Sequence, residues 1–244
     1  MTVVCGPRKV VRLFLSVKNG FAIFLDGGDN GGVDTIRPSA NDNAATISFK
    51  ERLGLVLVVY GLFLGAYLSA NRFIEVAEAY DFSTSFDHAT HFVPEFIYPI
   101  WVLYGMLVLP AFIITDRKLL LAMAQAFAVL ILGSTLLFIL IPVQVPRPDF
   151  VAGSLSEKLV AAMYTTDRPV CGFPSLHVST SLLAAMIMYR QSRRLGVIFY
   201  FMFALTAVGI LFVKQHVLMD VLGGVAMAGG VYYAMIVRRL STVR

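Results

Sequence analysis

Charged residues are scarce in this chain: they make up 14% of its 244 residues, whereas hydrophobic residues make up 58%. A soluble domain carries about 25% charged residues, so this composition excludes an ordinary soluble protein. The mean hydropathy of +0.77 points the same way. We therefore expect an integral membrane protein.

Cysteine is almost absent, since the sequence contains only Cys5 and Cys171. The predicted topology places these two thiols on opposite sides of the membrane, and we expect no disulfide between them. Basic runs interleaved with aromatic residues are absent too, which argues against nucleic-acid binding despite a net charge of +5. The excess positive charge instead flanks apolar segments.

Apolar segments dominate the rest of the chain. A helix needs about 20 mostly apolar residues to cross the hydrocarbon core of a bilayer. Six such segments lie near residues 53–70, 95–115, 119–142, 175–189, 195–213 and 217–237. The sequence thus predicts an all-α, polytopic membrane protein with a bundle of six transmembrane helices. The expected domain is 50–237, between an N-terminal tail, 1–49, and a C-terminal tail, 238–244.

Lysine and arginine cluster on one side of this predicted bundle. Cytoplasmic flanks collect these residues, whereas translocated loops do not. The cations on that side are Lys50, Arg52, Arg117, Lys118, Arg190, Arg193, Arg194, Arg238, Arg239 and Arg244. The loop 71–93, on the other side, holds four acidic residues against the single Arg72. Both termini are therefore predicted to be cytoplasmic.

The N-terminal tail has two parts. An apolar stretch, 10–25, is interrupted by Lys18, and a segment rich in Gly, Asp and Asn follows at 26–43. We interpret the tail as a partly flexible cytoplasmic segment that touches the membrane surface. A signal peptide is the alternative, but no clean small-residue cleavage site follows the apolar stretch.

Two histidines and a carboxylate stand at the ends of apolar segments. His177 begins the fourth predicted span and His216 begins the sixth, with Asp220 four residues later. On a helix this spacing places His216 and Asp220 on one face, where the carboxylate accepts a hydrogen bond from one imidazole nitrogen. The other nitrogen then carries its lone pair outward, as a nucleophile or base requires. A purely structural histidine is the alternative, but ionisable groups in apolar segments usually mark functional sites.

The start of the fourth span has the features of an anion site. The amides of Ser175, Leu176 and His177 lack intrahelical acceptors, and the helix dipole adds positive potential there. Arg147 and Lys214 are predicted to lie on the same, non-cytoplasmic side. Two cations beside a helix N-terminus suit the oxygens of a phosphate. Together with the Ser175 hydroxyl they predict a phosphate-binding site; the alternative is that Ser175 only caps the helix.

These segments resemble the type 2 phosphatidic acid phosphatase superfamily of membrane lipid phosphatases and phosphotransferases. The signature blocks of that superfamily have counterparts here in the same order, namely Arg147-Pro148, Pro174–His177, and His216 with Asp220. The resemblance covers roughly residues 50–237 and implies the helical core of that superfamily.

Some positions depart from the family pattern. Leu140 stands where the first block has a lysine, and Gly209-Ile210 stands where the third has Ser-Arg. Lys214 is the expected substitute for these missing cations. Leu176 replaces a glycine of the second block. Leu176 and the Lys-Gln-His run at 214–216 resemble the branch that contains inositol phosphorylceramide synthases.

The resemblance implies a two-step phosphoryl transfer. His216, oriented by Asp220, would attack phosphorus and form a phosphohistidine, while His177 would protonate the leaving group and later activate the acceptor. Arg147, Lys214 and the helix amides would hold the phosphate oxygens. No metal and no cofactor are implied. The expected substrate is a phospholipid or isoprenyl phosphate among the membrane lipids, at the extracytoplasmic face of a bacterial inner (plasma) membrane.

Several alternatives stay open. The enzyme either releases phosphate to water or passes a phospho-head-group to a lipid hydroxyl, as an inositol phosphorylceramide synthase does. Outside enzymes, the alternatives are a non-catalytic membrane protein and a transporter; a transporter is expected to carry charged or broken helices at mid-membrane. A metal held by the two site histidines would need further ligands, and His88 and His91 in the loop 71–93 have no established proximity to them.

Overall fold

The computed structural model describes residues 3–4, 10–11 and 47–238. The chain divides into two units, 1–44 and 45–244. In the first unit two short strands, β1 (Val3–Val4) and β2 (Val10–Val11), pair in antiparallel orientation. Most of the predicted N-terminal tail and residues 239–244 lie outside the described residues, so the interpretation of both tails stays a prediction.

The second unit is built mainly from helices. In chain order they are α1 (Phe49–Phe73), α2 (Ser85–Ala89), α3 (Ile97–Met106), α4 (Leu109–Ile113), α5 (Arg117–Leu140), α6 (Leu155–Thr166), α7 (Leu176–Gln191), α8 (Arg193–Phe212) and α9 (Leu218–Tyr232). Single 3₁₀ turns occur at Val76–Glu78 and Pro94–Phe96, and a π-helical turn, Tyr233–Val237, extends α9. Two short strands, β3 (Tyr80–Asp81) and β4 (Val143–Gln144), pair in parallel.

Local sequence signals explain where several helices begin. Ser48 and Glu51 form a capping box at α1, in which the Ser48 hydroxyl accepts a hydrogen bond from the Glu51 amide at 3.2 Å. Asp116 caps α5 by accepting from the Lys118 amide at 2.8 Å. Ser192 alone separates α7 from α8, so these two helices fold back on one another.

Within the described residues, five helical segments are long and apolar enough to cross a membrane. They are Phe49–Phe73, Pro94–Ile113, Arg117–Leu140, Arg193–Phe212 and Leu218–Val237. The second segment joins a 3₁₀ turn to α3 and α4, and the last joins α9 to its π-helical turn. The all-α, polytopic fold class is thus confirmed, and five of the six predicted spans are found within a few residues of their expected ends.

The remaining predicted span, 175–189, corresponds to a shorter helix. α7 has 16 residues, which is about 24 Å of helix and less than the ~30 Å of a hydrocarbon core. It is short because it begins only at Leu176, after the turn that carries Pro174, and ends at Gln191. α7 lies inside the bundle against α5, α8 and α9, and most of its side chains are buried.

Backbone contacts bring the connecting segments together at one end of the bundle. The Val145 amide donates to the Pro169 carbonyl oxygen at 3.0 Å, and the Gly172 amide donates to the Val143 carbonyl oxygen at 3.0 Å. The segment that follows α5 therefore lies beside the segment that precedes α7. This pairing carries Arg147 to the end of α6, where its guanidinium donates to the Asp167 carbonyl oxygen.

Candidate active site

His216 and Asp220 lie where α8 is followed by α9. α8 ends at Phe212 and α9 begins at Leu218, so His216 precedes the helix. The expectation that His216 and Asp220 share one helical face is therefore wrong. Asp220 instead turns back over the helix N-terminus, where its Oδ2 accepts from the Val217 amide at 3.1 Å and from His216 Nδ1 at 3.2 Å. Both side chains are buried, and Asp220 has no exposed surface.

His177, in the first turn of α7, lies against His216. Its Nδ1 is 3.2 Å from His216 Nε2, and its Nε2 is 2.9 Å from the Tyr104 hydroxyl. Because the Asp220 carboxylate only accepts, His216 holds its proton at Nδ1 and its lone pair at Nε2. His177 Nδ1 is then the donor between the two rings. The Tyr104 hydroxyl both donates and accepts, so it holds His177 Nε2 whether or not that nitrogen carries a proton.

Ser175 joins the start of α7 to the start of α9. Its hydroxyl caps α7, and its amide donates to the Asp220 carbonyl oxygen at 3.0 Å. Gly224 of α9 allows the close approach, because a Cβ there would lie 2.8 Å from the Ser175 carbonyl oxygen. Ser175 and Leu176 are both buried. The first turn of α7 is thus held against the turn that carries His216.

Arg147 lies in the segment after β4, with its guanidinium partly buried. Nη1 donates to the Asp167 carbonyl oxygen at 2.6 Å, and Nη2 donates to Gln215 Oε1 at 3.1 Å. The guanidinium carbon lies 4.1 Å from the centroid of the Tyr164 ring. Burial lowers the pKa of Arg147, and the Asp167 carboxylate opposes that shift. The side chain keeps its positive charge, as arginine does throughout proteins.

Arg147 retains an unused donor. Its Nε is buried and has no hydrogen-bond partner within the part of the chain that the structure describes. Nη2 carries a second hydrogen besides the one given to Gln215. Nε–H and Nη2–H together make a fork that fits two oxygens of a phosphate. An unpaired buried donor costs about 1–3 kcal/mol, which a bound anion would recover.

Lys214 points toward α2. Its Nζ donates to the Asp87 carbonyl oxygen at 2.7 Å, and Asp87 Oδ1 accepts from the Leu218 amide at 2.8 Å. Lys214 has a φ of 52°, in the left-handed region that few residues other than glycine adopt. Burial lowers the pKa of Lys214, and Asp87 opposes the shift. Lys214 therefore ties α2 to the turn before α9, and its predicted phosphate contact stays a prediction.

Sequence reasoning missed Asp167 and Gln215. Gln215 has no signal of its own beyond its place beside His216, and Asp167 lies in a loop of mixed charge. Asp167 accepts hydrogen bonds from Tyr67 and from Gln215, which are distant in sequence. Burial raises the pKa of Asp167, and the hydrogen bond from Tyr67 opposes the shift. The one sequence signal for Asp167 is that acidic residues are scarce in so apolar a protein.

The His216 environment fits covalent catalysis by a nitrogen nucleophile. A buried carboxylate orients the ring, and a second histidine stands within proton-transfer distance of the free nitrogen.

Among the residues that the structure describes, no group of three or more His, Cys, Asp or Glu side chains is placed to hold a metal ion. His88 and His91 accordingly form no such group with the two site histidines.

A cavity of about 430 Å³ opens beside the two histidines. Tyr67, Asp167, His177 and His216 contribute to its polar lining, and most of the remaining lining is apolar side chains of α1, α3 and α5. On α1 the lining includes Leu55 and Tyr67, which are about 18 Å apart along the helix axis. Sites for small molecules commonly measure about 300–1,000 Å³. The cavity suits a long apolar ligand whose polar end lies at the histidines.

Residues 73–234 match a protein-family model described as the PAP2 superfamily. The match covers about two thirds of the chain and includes every predicted site residue. It leaves out α1 except for Phe73. No curated protein and no solved structure matches the chain.

Proposed function

The chain belongs to the PAP2 superfamily, and we propose that it transfers the phosphoryl group of a membrane lipid through a phosphohistidine on His216. Membership supports phosphatase or phosphotransferase activity in general. The lipid, the histidine intermediate and the side of the membrane belong to the proposal. The observation that carries it is the line of side chains from Asp220 through His216 to His177, with 3.2 Å between the polar atoms at each step.

His216 Nε2 is the proposed nucleophile. Its lone pair attacks phosphorus, the bond from phosphorus to the leaving oxygen breaks, and Asp220 stabilises the positive charge that the ring gains. His177, in its protonated form, gives its Nδ1 proton to the leaving oxygen while Nε2–H donates to the Tyr104 hydroxyl. In the second step His177 takes a proton from water or an alcohol, whose oxygen attacks phosphorus and releases His216.

The substrate has to part the two imidazole rings before this reaction. A phosphorus atom cannot approach His216 Nε2 in line while His177 Nδ1 lies 3.2 Å away. In the free protein the lone pair of His216 Nε2 therefore accepts a hydrogen bond from the His177 Nδ1 proton, which His177 later delivers to the leaving oxygen. The incoming phosphate replaces that hydrogen bond, and its leaving oxygen takes the place of His216 Nε2 as the proton acceptor.

The phosphate oxygens are proposed to bind at the start of α7. The amides of Leu176 and His177 precede the first intrahelical hydrogen bond, which runs from the Ser179 amide to the Ser175 carbonyl oxygen. The Ser175 hydroxyl has a hydrogen to donate, because its contact with the helix is as an acceptor. Arg147 contributes its unpaired Nε. These donors would stabilise the charge that accumulates in the transition state.

The apolar cavity supports a lipid as the substrate. Its lining along α1, α3 and α5 would enclose an alkyl or isoprenyl chain while the phosphate lies at the histidines. The same cavity favours a second candidate function, transfer of a phospho-head-group to a lipid alcohol, because such an acceptor approaches through apolar surroundings. An assay with purified protein distinguishes the two functions. The protein is given labelled phosphatidate, isoprenyl pyrophosphate or phosphatidylinositol, with and without ceramide or diacylglycerol. Release of free phosphate indicates hydrolysis, and formation of new phospholipid indicates transfer.

The site is proposed to face the extracytoplasmic side of a bacterial inner membrane, with both termini cytoplasmic. Arg147 follows α5, and the two histidines lie at the start of α7 and before α9. The basic residues at 117–118 and 190–194 stand at the opposite ends of these helices. A reporter fused after Glu157 is expected to read non-cytoplasmic, and one fused after Arg193 cytoplasmic. A cytoplasmic reading at Glu157 would contradict this orientation.

Trapping the phosphoenzyme tests the reaction directly. Protein mixed with a labelled substrate and quenched rapidly in base, where phosphohistidine survives, should retain label that acid removes. His216→Ala should retain none, whereas His177→Ala should retain part of its activity toward an activated aryl phosphate, whose leaving group needs little protonation. His88→Ala, an exposed histidine outside the site, is the matched control and should label normally. Label that persists in His216→Ala would refute the assignment of the nucleophile.

A further inference from the structure

A partly buried carboxylate, that of Asp167, lies between the first membrane helix and the proposed phosphate site. Asp167 Oδ1 accepts hydrogen bonds from the Tyr67 hydroxyl and from Asn71 Nδ2, at 3.1 Å for the latter, and both donors belong to α1. Asp167 Oδ2 accepts from Gln215 Nε2. Three donors thus converge on a carboxylate that none of the reaction steps above uses.

Gln215 connects this carboxylate to Arg147. Its Oε1 accepts from Arg147 Nη2 at 3.1 Å, while its Nε2 donates to Asp167. A carboxylate only accepts and a guanidinium only donates, so the two neighbours together dictate which way the amide faces. Gln215 is only 4% exposed, and bulk water therefore cannot replace either partner.

We propose that Asp167 is a positioning residue, which orients the Arg147 guanidinium toward the substrate phosphate through the Gln215 amide. This inference rests on the proposed function, because it requires Arg147 to bind phosphate. Asp167 also acts through its backbone, since its carbonyl oxygen accepts from Arg147 Nη1 at 2.6 Å. The two contacts engage both terminal nitrogens, whereas Nε has no partner among the described residues.

The relay extends onto α1. Tyr67 and Asn71 precede the segment that matches the PAP2 superfamily, so this part of the relay belongs to the chain outside the matched region. The Arg168 amide donates to Asn71 Oδ1 at 3.1 Å, which fixes the loop after α6 to the same helix. α1 also lines the apolar cavity. The helix proposed to contact the lipid chain is therefore the helix that holds Asp167 in place.

Moving the charge by one residue along the relay tests the proposal. In Asp167→Asn the amide oxygen stays with the two donors of α1, so the NH₂ group faces Gln215. The Gln215 amide then turns and faces Arg147 with a donor. Adding Gln215→Glu restores an acceptor for both neighbours and returns the negative charge to the relay. Gln215→Glu alone sets two carboxylates against each other and should also be impaired. Glu78→Gln, at an exposed acidic residue of the 71–93 loop, is the matched control.

The measurement is the dissociation constant of inorganic phosphate for the full-length, detergent-purified protein, by calorimetry, with a thermal melt to verify folding. Asp167→Asn should bind phosphate about tenfold more weakly, the loss expected when a charge-assisted contact is misaligned. The double variant should return to within about threefold of wild type, whereas Arg147→Ala should bind most weakly and Glu78→Gln normally. If Asp167→Asn fails to fold, Tyr67→Phe removes one donor to the carboxylate and should weaken binding about threefold.

The outcomes separate the two proposals. Equal phosphate affinity in wild type and Asp167→Asn would overturn the positioning role and leave the proposed function intact. So would a double variant that binds no better than Asp167→Asn, because a purely structural role is not rescued by relocating a charge. A wild-type protein that binds no phosphate and forms no phosphoenzyme would instead overturn the proposed function itself.

Discussion

Replacing Gly224 with alanine perturbs the contact that holds the two histidines together. A Cβ at this position would lie 2.8 Å from the Ser175 carbonyl oxygen and 2.9 Å from Val178 Cβ. Both atoms are fixed to the backbone of α7 and cannot turn aside as the end of a flexible side chain does. Forcing a methyl group into a packed contact of this kind costs about 1–3 kcal/mol.

Gly229, on the same helix, is the matched control. A Cβ there would meet nothing within 4 Å. Alanine gains about 0.5–1 kcal/mol over glycine inside a helix at either position, so comparing the two variants cancels this gain. A chain of this size shifts its melting temperature by about 2–4 °C per kcal/mol. Gly224→Ala is therefore expected to melt about 2–12 °C below Gly229→Ala.

The activity of the two variants should differ more than their stability. Relief of the clash moves α9 away from α7 and so changes the distance between His216 and His177. A misplacement of about 1 Å costs about 100-fold in rate. The assay is the rate of phosphoenzyme formation beside thermal melts in the same detergent. If Gly224→Ala melted with Gly229→Ala and labelled His216 equally fast, the close packing of these helices would not position the site.

Three further predictions address individual side chains. Tyr104→Phe removes only the hydroxyl that holds His177 Nε2. Rapid-quench labelling should slow about tenfold with a substrate that has a poor leaving group, but less with an activated aryl phosphate. Equal slowing with both substrates would contradict a role of Tyr104 in proton transfer. Arg147→Ala should lower the turnover rate by about 10²- to 10³-fold. Lys214→Ala should lower it by less, because the Lys214 ammonium group donates to a carbonyl oxygen of α2. A larger loss in Lys214→Ala than in Arg147→Ala would refute this account of the two cations. Burial raises the folded-state pKa of Asp167 above the ordinary value of 3.8, so the stability linked to its protonated form is lost as the pH rises through the folded-state pKa. In thermal melts from about pH 4 to about pH 7, wild type should therefore lose stability relative to Asp167→Asn, whereas a pH-independent difference would show that the carboxyl group titrates alike in both states.

The membrane spans were accessible to sequence reasoning because apolar composition is a local property. The ends of α1 and α5, for example, carry capping residues that can be recognised without any knowledge of the rest of the chain. α7 is the exception. Its sequence is apolar because bundle neighbours enclose it, and composition alone does not distinguish enclosure by protein from enclosure by lipid.

The candidate site was predictable where its contacts lie close in sequence. The spacing of His216 and Asp220 indicates their hydrogen bond, but the structure forms it by a carboxylate that caps α9 rather than by two residues on one helical face. Lys214 donates to Asp87, which lies 127 residues away, and Gln215 donates to Asp167, which lies 48 residues away. Such contacts depend on how the loops pack, and neither spacing nor composition encodes that.

The short length of α7 determines how deep a lipid phosphate would have to sit. α7 and α8 are joined by Ser192 alone, so their ends at that turn are level, yet α8 has 20 residues and α7 has 16. α7 is therefore about 6 Å shorter than α8. A phosphate that binds at the start of this shorter helix, as proposed, allows its lipid to remain deeper within the bilayer. Raising the chain by the same distance into water would expose about five methylene groups at ~0.8 kcal/mol each, an extraction penalty of about 4 kcal/mol that this deeper site avoids.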